Sequence, residues 1–88
     1  MYLEILTPGK MVFEGEVHLV KVPGAAGSFE VLNNHAPIIT TLQEGQVRVV
    51  INDENVRTFT IDSGVLQMVN NKVIVLVETL TELTKESL

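Results

Sequence analysis

Polar and apolar residues alternate with a period of two along several short stretches of this chain. Gln46-Val47-Arg48-Val49-Val50-Ile51 puts Val47, Val49 and Ile51 on one face, with Arg48 on the other. In Asn55-Val56-Arg57-Thr58-Phe59-Thr60-Ile61, Arg57, Phe59 and Ile61 share one face, and Val56, Thr58 and Thr60 the other. Lys72 to Val77 is apolar on both faces, which predicts a central strand covered on both sides. No stretch before Glu78 sustains a helical period. Turn signals punctuate these runs: Pro8-Gly9, Glu14-Gly15, Pro23-Gly24, Asn33-Asn34, Glu44-Gly45, Asn52-Asp53-Glu54-Asn55, Ser63-Gly64 and Asn70-Asn71. Gly and Asn tolerate positive φ, and Pro pre-sets φ for a tight turn. The runs between them are rich in Val, Ile, Leu and Thr, whose branched side chains favour the pleated sheet. Many short strands at this spacing predict an all-β fold, a β-sandwich or barrel.

The last residues change character. Thr79 and Glu82 have capping-box spacing, and Leu80 and Leu83 stand three apart. The expected organisation is one β domain over residues 1–78 and a short polar tail over 79–88 that begins a helix. A chain of 88 residues holds one domain and needs a well-filled core, which a hydrophobic fraction of 45% supplies. There is no cysteine, hence no disulfide framework and no thiolate metal site. With a net charge of −5 and 6 Lys+Arg, no basic face for nucleic acid is expected. The longest aliphatic run, Val73 to Val77, is far short of the roughly 20 residues that span a bilayer, so membrane association is expected only through a partner.

Candidate chemistry is sparse. His18, placed in a strand, and His35 are far apart in sequence, and a zinc site wants three or four ligands, often in spaced pairs. Pro23-Gly24-Ala25-Ala26-Gly27-Ser28 is glycine-rich, but a P-loop needs a Lys after its second Gly and a following helix. Here a strand pattern, Ser28-Phe29-Glu30-Val31-Leu32, follows instead, and a loop between strands fits better. Ser63-Gly64 lacks the Gly-x-Ser-x-Gly frame of a nucleophile elbow and reads as a turn. Glu14, Glu16, Glu44, Asp53 and Glu54 fall at or beside turns, where solvated surface explains them. No catalytic set, metal or cofactor is expected.

One stretch resists this bland reading. In Asn33-Asn34-His35-Ala36-Pro37-Ile38-Ile39-Thr40-Thr41-Leu42, Pro37 pushes Ala36 into an extended conformation and donates no hydrogen bond. That suits a strand start or an edge offered to a partner, with His35 at the junction. Here the sequence resembles the N-terminal domain of the epsilon subunit of F-type ATP synthase, called delta in mitochondria. The matching pieces are Leu6-Thr7-Pro8, then Val12-Phe13-Glu14-Gly15-Glu16-Val17, then Val22-Pro23-Gly24 with Gly27. His35-Ala36-Pro37 with Thr40, Leu42 and Gly45-x-Val47 follows, then Ser63-Gly64-Val65 and Asn70-Asn71-Lys72-Val73-Ile74-Val75-Leu76. The resemblance runs from about Leu3 to Glu78, and the order and spacing of its pieces make it specific.

The resemblance implies a flattened β-sandwich of about ten strands. It implies a non-catalytic place in the central stalk, between the gamma subunit and the polar loops of the membrane c-ring, coupling rotation to the proton-driven ring. It puts Thr7, His35 and Thr40 on the surface facing gamma, and the loop Ala26–Phe29 (Ala26, Gly27, Ser28, Phe29) on the end that meets the c-ring. It also implies a peripheral position on the cytoplasmic face of an energy-transducing membrane, most simply the bacterial plasma membrane. Two departures bear on this. Asn33-Asn34 stands where many members have Pro-Gly before His-Ala-Pro, and both pairs make turns. Many members carry an acid where Ser28 stands and a Gly where Glu30 stands; positions i and i+2 share a side of a strand, so Glu30 is expected to take over the acidic contact to the ring. Typical members continue into a C-terminal helical hairpin that regulates hydrolysis and in some binds ATP. The sequence ends at Leu88, where that hairpin begins in them, so neither ATP binding nor hairpin inhibition is expected of it. The competing reading is a free-standing β-sandwich that binds a small ligand or sugar. It needs a concave polar pocket, and an aromatic content of 5% with no Trp speaks against it.

Overall fold

A computed structural model describes residues 1–83 of the chain. Ten strands follow in order: β1 (Tyr2–Thr7), β2 (Lys10–Glu16), β3 (Leu19–Gly24), β4 (Gly27–Leu32), β5 (Ile38–Leu42), β6 (Gly45–Val50), β7 (Val56–Ile61), β8 (Gly64–Val69), β9 (Lys72–Val77) and β10 (Leu80–Glu82). Hydrogen bonding links them along the path β10-β7-β6-β3-β5-β8-β9-β1-β2, with β4 on the free side of β3. One joint is weak: β3 and β5 share the single register pair Gly24↔Leu42. The path bends there. β4, β3, β6, β7 and β10 form one layer, and β5, β8, β9, β1 and β2 form the other.

The period of two explains the core. Leu3 lies beside Val73, and Val73 beside Met68; Ile5 lies beside Val75, and Val75 beside Leu66. All six are buried and line the inner face of one layer. Val20, Val22, Val31, Val47, Val49, Phe59 and Ile61 do the same from the other, and the two sets form one cluster. Each such side chain contributes on the order of 1.5–3 kcal/mol when taken fully out of water. Val47 and Val49 are buried where the alternation of β6 puts them, and Phe59 and Ile61 likewise on β7.

The turns form two clusters. Pro8-Gly9, Ala25-Ala26, Gln43-Glu44, Asp62-Ser63 and Glu78-Thr79 lie at one end of the sandwich, because the registers bring the strands that flank them together there. The Asn52–Asn55 and Asn70–Asn71 turns, His18 and the Asn33–Pro37 link lie at the opposite end. Asn70 and Asn71 both have positive φ (51° and 60°), the geometry of a tight hairpin that matches the strand twist. Asn52 Oδ1 accepts the N–H groups of Glu54 (2.9 Å) and Asn55 (3.0 Å), closing the polar β6–β7 hairpin.

Three sequence expectations change. His18 sits in the short link between β2 and β3, not within a strand, although it is exposed. Strand β9 is central, between β8 and β1, but covered on one face only: Val73, Val75 and Val77 are buried, while Leu76 is 51% exposed. The tail begins as a strand, not a helix. Leu80, Thr81 and Glu82 pair with Ile61, Thr60 and Phe59, and the Leu83 N–H donates to the Thr58 carbonyl at 2.9 Å. The open edge of β7 offers backbone partners, and Leu80 packs against the core; an isolated turn of helix has neither reward. The β structure therefore runs past Glu78 to Glu82. Residues 84–88 of the predicted tail lie outside the described residues.

Candidate interaction surfaces

The glycine-rich stretch is the tip of the β3–β4 hairpin. Gly24 and Gly27 face each other, leaving Ala25-Ala26 as the turn. Gly24 is buried, and a Cβ on it would meet the Gly27 carbonyl oxygen at 2.7 Å and the Phe29 ring at 2.8 Å. The glycine is there for close approach rather than for a ligand. The Ala25 N–H donates to the Thr41 carbonyl (3.0 Å) and the Gln43 N–H to the Pro23 carbonyl (2.8 Å), so the tip is tied to the β5–β6 turn. Ala26, Gly27, Ser28 and Glu30 are exposed. Ser28 lies opposite Pro23, and Glu30 opposite Lys21, on the outer face of β4. Phe29 differs from the rest of its group: it lies beside Val22 and packs against the core. The loop is thus Ala25-Ala26 alone, and Ser28 and Glu30 are strand residues pointing to one side, as i and i+2 must.

Thr7, His35 and Thr40 do not form one cluster. Thr7 ends β1 beside the Pro8-Gly9 turn. His35 is partly exposed at the opposite end, where its Nδ1 lies 2.7 Å from the Ala36 carbonyl oxygen. Thr40 sits mid-strand in β5, opposite the buried Leu66, so its side chain falls on the inner face of that strand. Pro37 immediately precedes β5, the place its missing donor suits.

At the His35 end the structure adds contacts that the turn signals alone do not show. The Asn34 N–H donates to Asn71 Oδ1 (2.7 Å), and Asn71 Nδ2 donates to Asn33 Oδ1 (2.9 Å). Asn33 Oδ1 also accepts from the Met1 amino group (3.1 Å), which pairs with Glu16 at 3.1 Å. Asn34 has φ +63°, so the pair that replaces Pro-Gly turns the chain and also ties the β4–β5 link to the β8–β9 turn. The spacing of Asn33-Asn34 and Asn70-Asn71 gives no hint that they meet.

The outer face of β5, β8, β9, β1 and β2 is a surface the sequence did not point to. Ile39 is 73% exposed, and Val65, Leu76 and Met11 are exposed on the same face. At its lower edge lies an open groove of about 610 Å³, lined by Leu6, Thr7, Thr41, Val65, Leu76 and Glu78 among others. The sequence signal for it was the double-sided apolar run of β9, which reads equally well as a strand buried by its own chain.

Perturbed ionisable groups stand outside that groove. Asp62 is held below the usual carboxylate range by the N–H groups of Thr79 (3.2 Å) and Ser63 (2.7 Å). Glu82 is lowered by its hydrogen bonds to Arg57. Tyr2 is raised, first by donating its hydroxyl to Glu14 at 2.9 Å and then by nearby acids. These groups are spread over separate strands and turns and converge on no common point. Among the described residues, no cluster of His, Cys, Asp or Glu is arranged to hold a metal ion, and no helix is long and apolar enough to cross a membrane.

Comparison with known proteins decides the family. Residues 1–82 match the family described as ATP synthase, Delta/Epsilon chain, beta-sandwich domain. The chain belongs to that family. Among similar sequences, the ATP synthase epsilon chain of Chlorobaculum tepidum is 42% identical over 76 residues, 86% of each chain. That of Chlorobium limicola is 40% identical over the same shares, and that of Sulfurimonas denitrificans is 42% identical over 86% of this chain and 58% of its own. Two solved structures share the fold: a chain of the Euglena gracilis mitochondrial ATP synthase (OSCP/F1/c-ring), with a TM-score of 0.85 at 16% identity, and one from the Tetrahymena thermophila mitochondrial ATP synthase central stalk/c-ring, with 0.77 at 19%. They cover 91% and 92% of this chain, which spans 51% and 65% of theirs. The epsilon chain is a non-catalytic subunit of the F-type ATP synthase.

Proposed function

We propose that this chain is a rotor subunit of the central stalk, coupling the rotation of gamma to the proton-driven c-ring. In this reading Thr7, His35 and Thr40 belong to the side that meets gamma, and Ala26, Gly27, Ser28, Phe29 and Glu30 to the end that meets the ring loops. Phe29 serves that end from below, by wedging the hairpin tip against the core, while the exposed Ala26, Gly27, Ser28 and Glu30 make the contact. The subunit sits peripherally on the cytoplasmic face of the membrane.

The observation that carries the reading is the match to the epsilon family along residues 1–82, on a fold with a short, hydrogen-bonded tip at one end. A subunit that passes torque needs stiff faces. The β3–β4 hairpin meets that need, since its turn is short and is bonded to the neighbouring β5–β6 turn. The test is co-purification with the gamma subunit. A stoichiometric complex stable to gel filtration is expected. No complex, or binding that requires an added small ligand, would overturn the reading in favour of a free-standing binding module.

A further inference from the structure

We propose that Arg57 is a brace that makes the two layers turn as one body, a positioning residue for the transfer of torque rather than a contact with either partner. This deepens the central-stalk reading and rests on it.

The load path follows from where the two sets of contacts lie in the fold. Thr7 in β1 and Thr40 in β5, on the side taken to meet gamma, belong to one layer. Ala26, Gly27, Ser28 and Glu30, taken to meet the ring, belong to the β3–β4 hairpin of the other. Torque that enters at one set and leaves at the other has to cross between the layers.

The two long sides of the sandwich are closed in different ways. On one side the backbone ties the layers: Gly24 pairs with Leu42, the Ala25 N–H donates to the Thr41 carbonyl, and the Gln43 N–H to the Pro23 carbonyl. On the other side lie β2 of one layer and β7 and β10 of the second. Among the described residues, no backbone hydrogen bond joins β2 to either of them. The apolar core in between holds by burial, which has no preferred direction. Layers tied along one side only can splay about that side.

Arg57 closes the open side. Its guanidinium carbon lies 5.2 Å from the centre of the Phe13 ring on β2 and 5.3 Å from that of the Phe59 ring on β7. The attraction of a cation for a ring face depends on direction. Both rings are buried, so each moves with its own layer. The two-pronged bond to Glu82 sets the plane of the guanidinium and keeps it from following a ring that slides away. A residue needed only to fill this place could be aliphatic; a planar fork held against two rings fixes direction as well.

The test uses ATP synthase assembled with variant chains and reconstituted in vesicles. ATP-driven proton pumping is read twice: as the initial rate, when no gradient opposes rotation, and as the gradient finally sustained. A brace matters under load. Arg57→Lys keeps the charge and loses the fork, and Phe13→Leu removes the ring on the far layer. Both are expected to leave the initial rate and the amount of assembled enzyme unchanged and to lower the sustained gradient. In the isolated chains, NMR relaxation dispersion is expected to show a splayed state about two- to fivefold more populated, the factor for one lost cation–ring contact, at β2 and β10 and not at Gly24 and Leu42. Asn52→Ala loosens a hairpin within one layer and is expected to alter neither pumping reading. If Arg57→Lys fails to fold by circular dichroism, Glu82→Gln, which only frees the guanidinium, replaces it with a smaller expected loss. A sustained gradient unchanged by Arg57→Lys and Phe13→Leu would overturn the inference and leave the stalk reading intact. So would a loss of initial rate and gradient together that Asn52→Ala shares, since that reports stability alone. Failure of the unsubstituted chain to co-purify with gamma would remove the stalk reading and the inference with it.

Discussion

Arg57 and Glu82 form a two-pronged ion pair, with Nε and Nη2 of Arg57 donating to Oε2 and Oε1 of Glu82, both at 2.7 Å. The guanidinium also stacks over two rings, 5.2 Å from the centre of Phe13 and 5.3 Å from that of Phe59. Phe13 belongs to β2 and Phe59 to β7, near the two ends of the hydrogen-bonded path. One side chain thus bridges a seam that no ladder closes, and its carboxylate partner fixes β10 there. The short strand is held by geometry at both ends: Glu82 at one, and the Asp62 carboxylate receiving the Thr79 N–H at the other.

Glu82→Gln should destabilise the fold by about 0.5–1 kcal/mol, a modest figure because both partners are more than a third exposed. The sign of the pH effect follows from the direction of the shifts. Glu82 and Asp62 both have lowered pKa values in the folded chain, so the unfolded chain binds more protons in acid. Their stabilisation is complete above the unfolded carboxylate values, about 4, and is lost as pH falls through the folded ones. Urea midpoints measured between neutral pH and about pH 3 should drop for the unsubstituted chain and drop less for an Asp62→Asn/Glu82→Gln double variant. Parallel curves would show that these carboxylates do not set acid stability.

Asn71→Ala should cost about 1–2 kcal/mol in a denaturant melt, from two combined losses. It removes the acceptor of the Asn34 N–H and the donor to Asn33, and it places a side chain without αL tolerance at φ +60°. Asn71→Gly separates the two: it eases the backbone and still lacks both hydrogen bonds. Recovery of full stability by Asn71→Gly would show that backbone conformation alone accounts for Asn71.

Gly24→Ala should destabilise by about 1–3 kcal/mol, the range for forcing extra volume into a packed site. The φ of Gly24 is not the cause; the obstacles are the Gly27 carbonyl and the Phe29 ring. Paired with Phe29→Leu, the same substitution should be better tolerated, because part of the clash is with the ring. Thermal melts of the two single variants and the double give the coupling directly. Strict additivity would mean that the Gly27 backbone, and not the ring, sets the requirement.

The strands were legible because a period of two leaves little else for Val47, Val49, Phe59 and Ile61 to do. The family was legible from the order of the turn and His-Ala-Pro motifs. What escaped has a physical reason in each case. A run apolar on both faces reads the same whether its own chain or another protein covers it, so Leu76 was assigned to the interior. Capping-box spacing in Thr79–Glu82 is a local signal, and the open edge of β7 with Arg57 behind it outweighs it. Phe29 fell in a loop only by the family resemblance, whereas the strand pattern after the glycines already placed it in β4, where it packs against the core. The meeting of Asn33 with Asn71 depends on long-range folding, as the two stand 38 positions apart in sequence.

Glu30→Lys is the variant that tests the ring-facing end. Glu30 is exposed and stands opposite Lys21, itself opposite Arg48 on β6. Reversing its charge lines up three cations across β4, β3 and β6, which costs on the order of 0.2–1 kcal/mol of stability and leaves the fold in place. The same change removes an acid from the side of the hairpin that carries Ser28. If that acid meets the ring loops, binding to the isolated c-ring should weaken about three- to tenfold, and ATP-driven proton pumping in reconstituted vesicles should fall with it. Lys21→Glu combined with Glu30→Lys restores an opposite-charge pair on the sheet without restoring the acid at position 30. Stability should therefore recover in the double variant while pumping stays low. Pumping that recovers together with stability would mean that Glu30 serves the sheet rather than the ring.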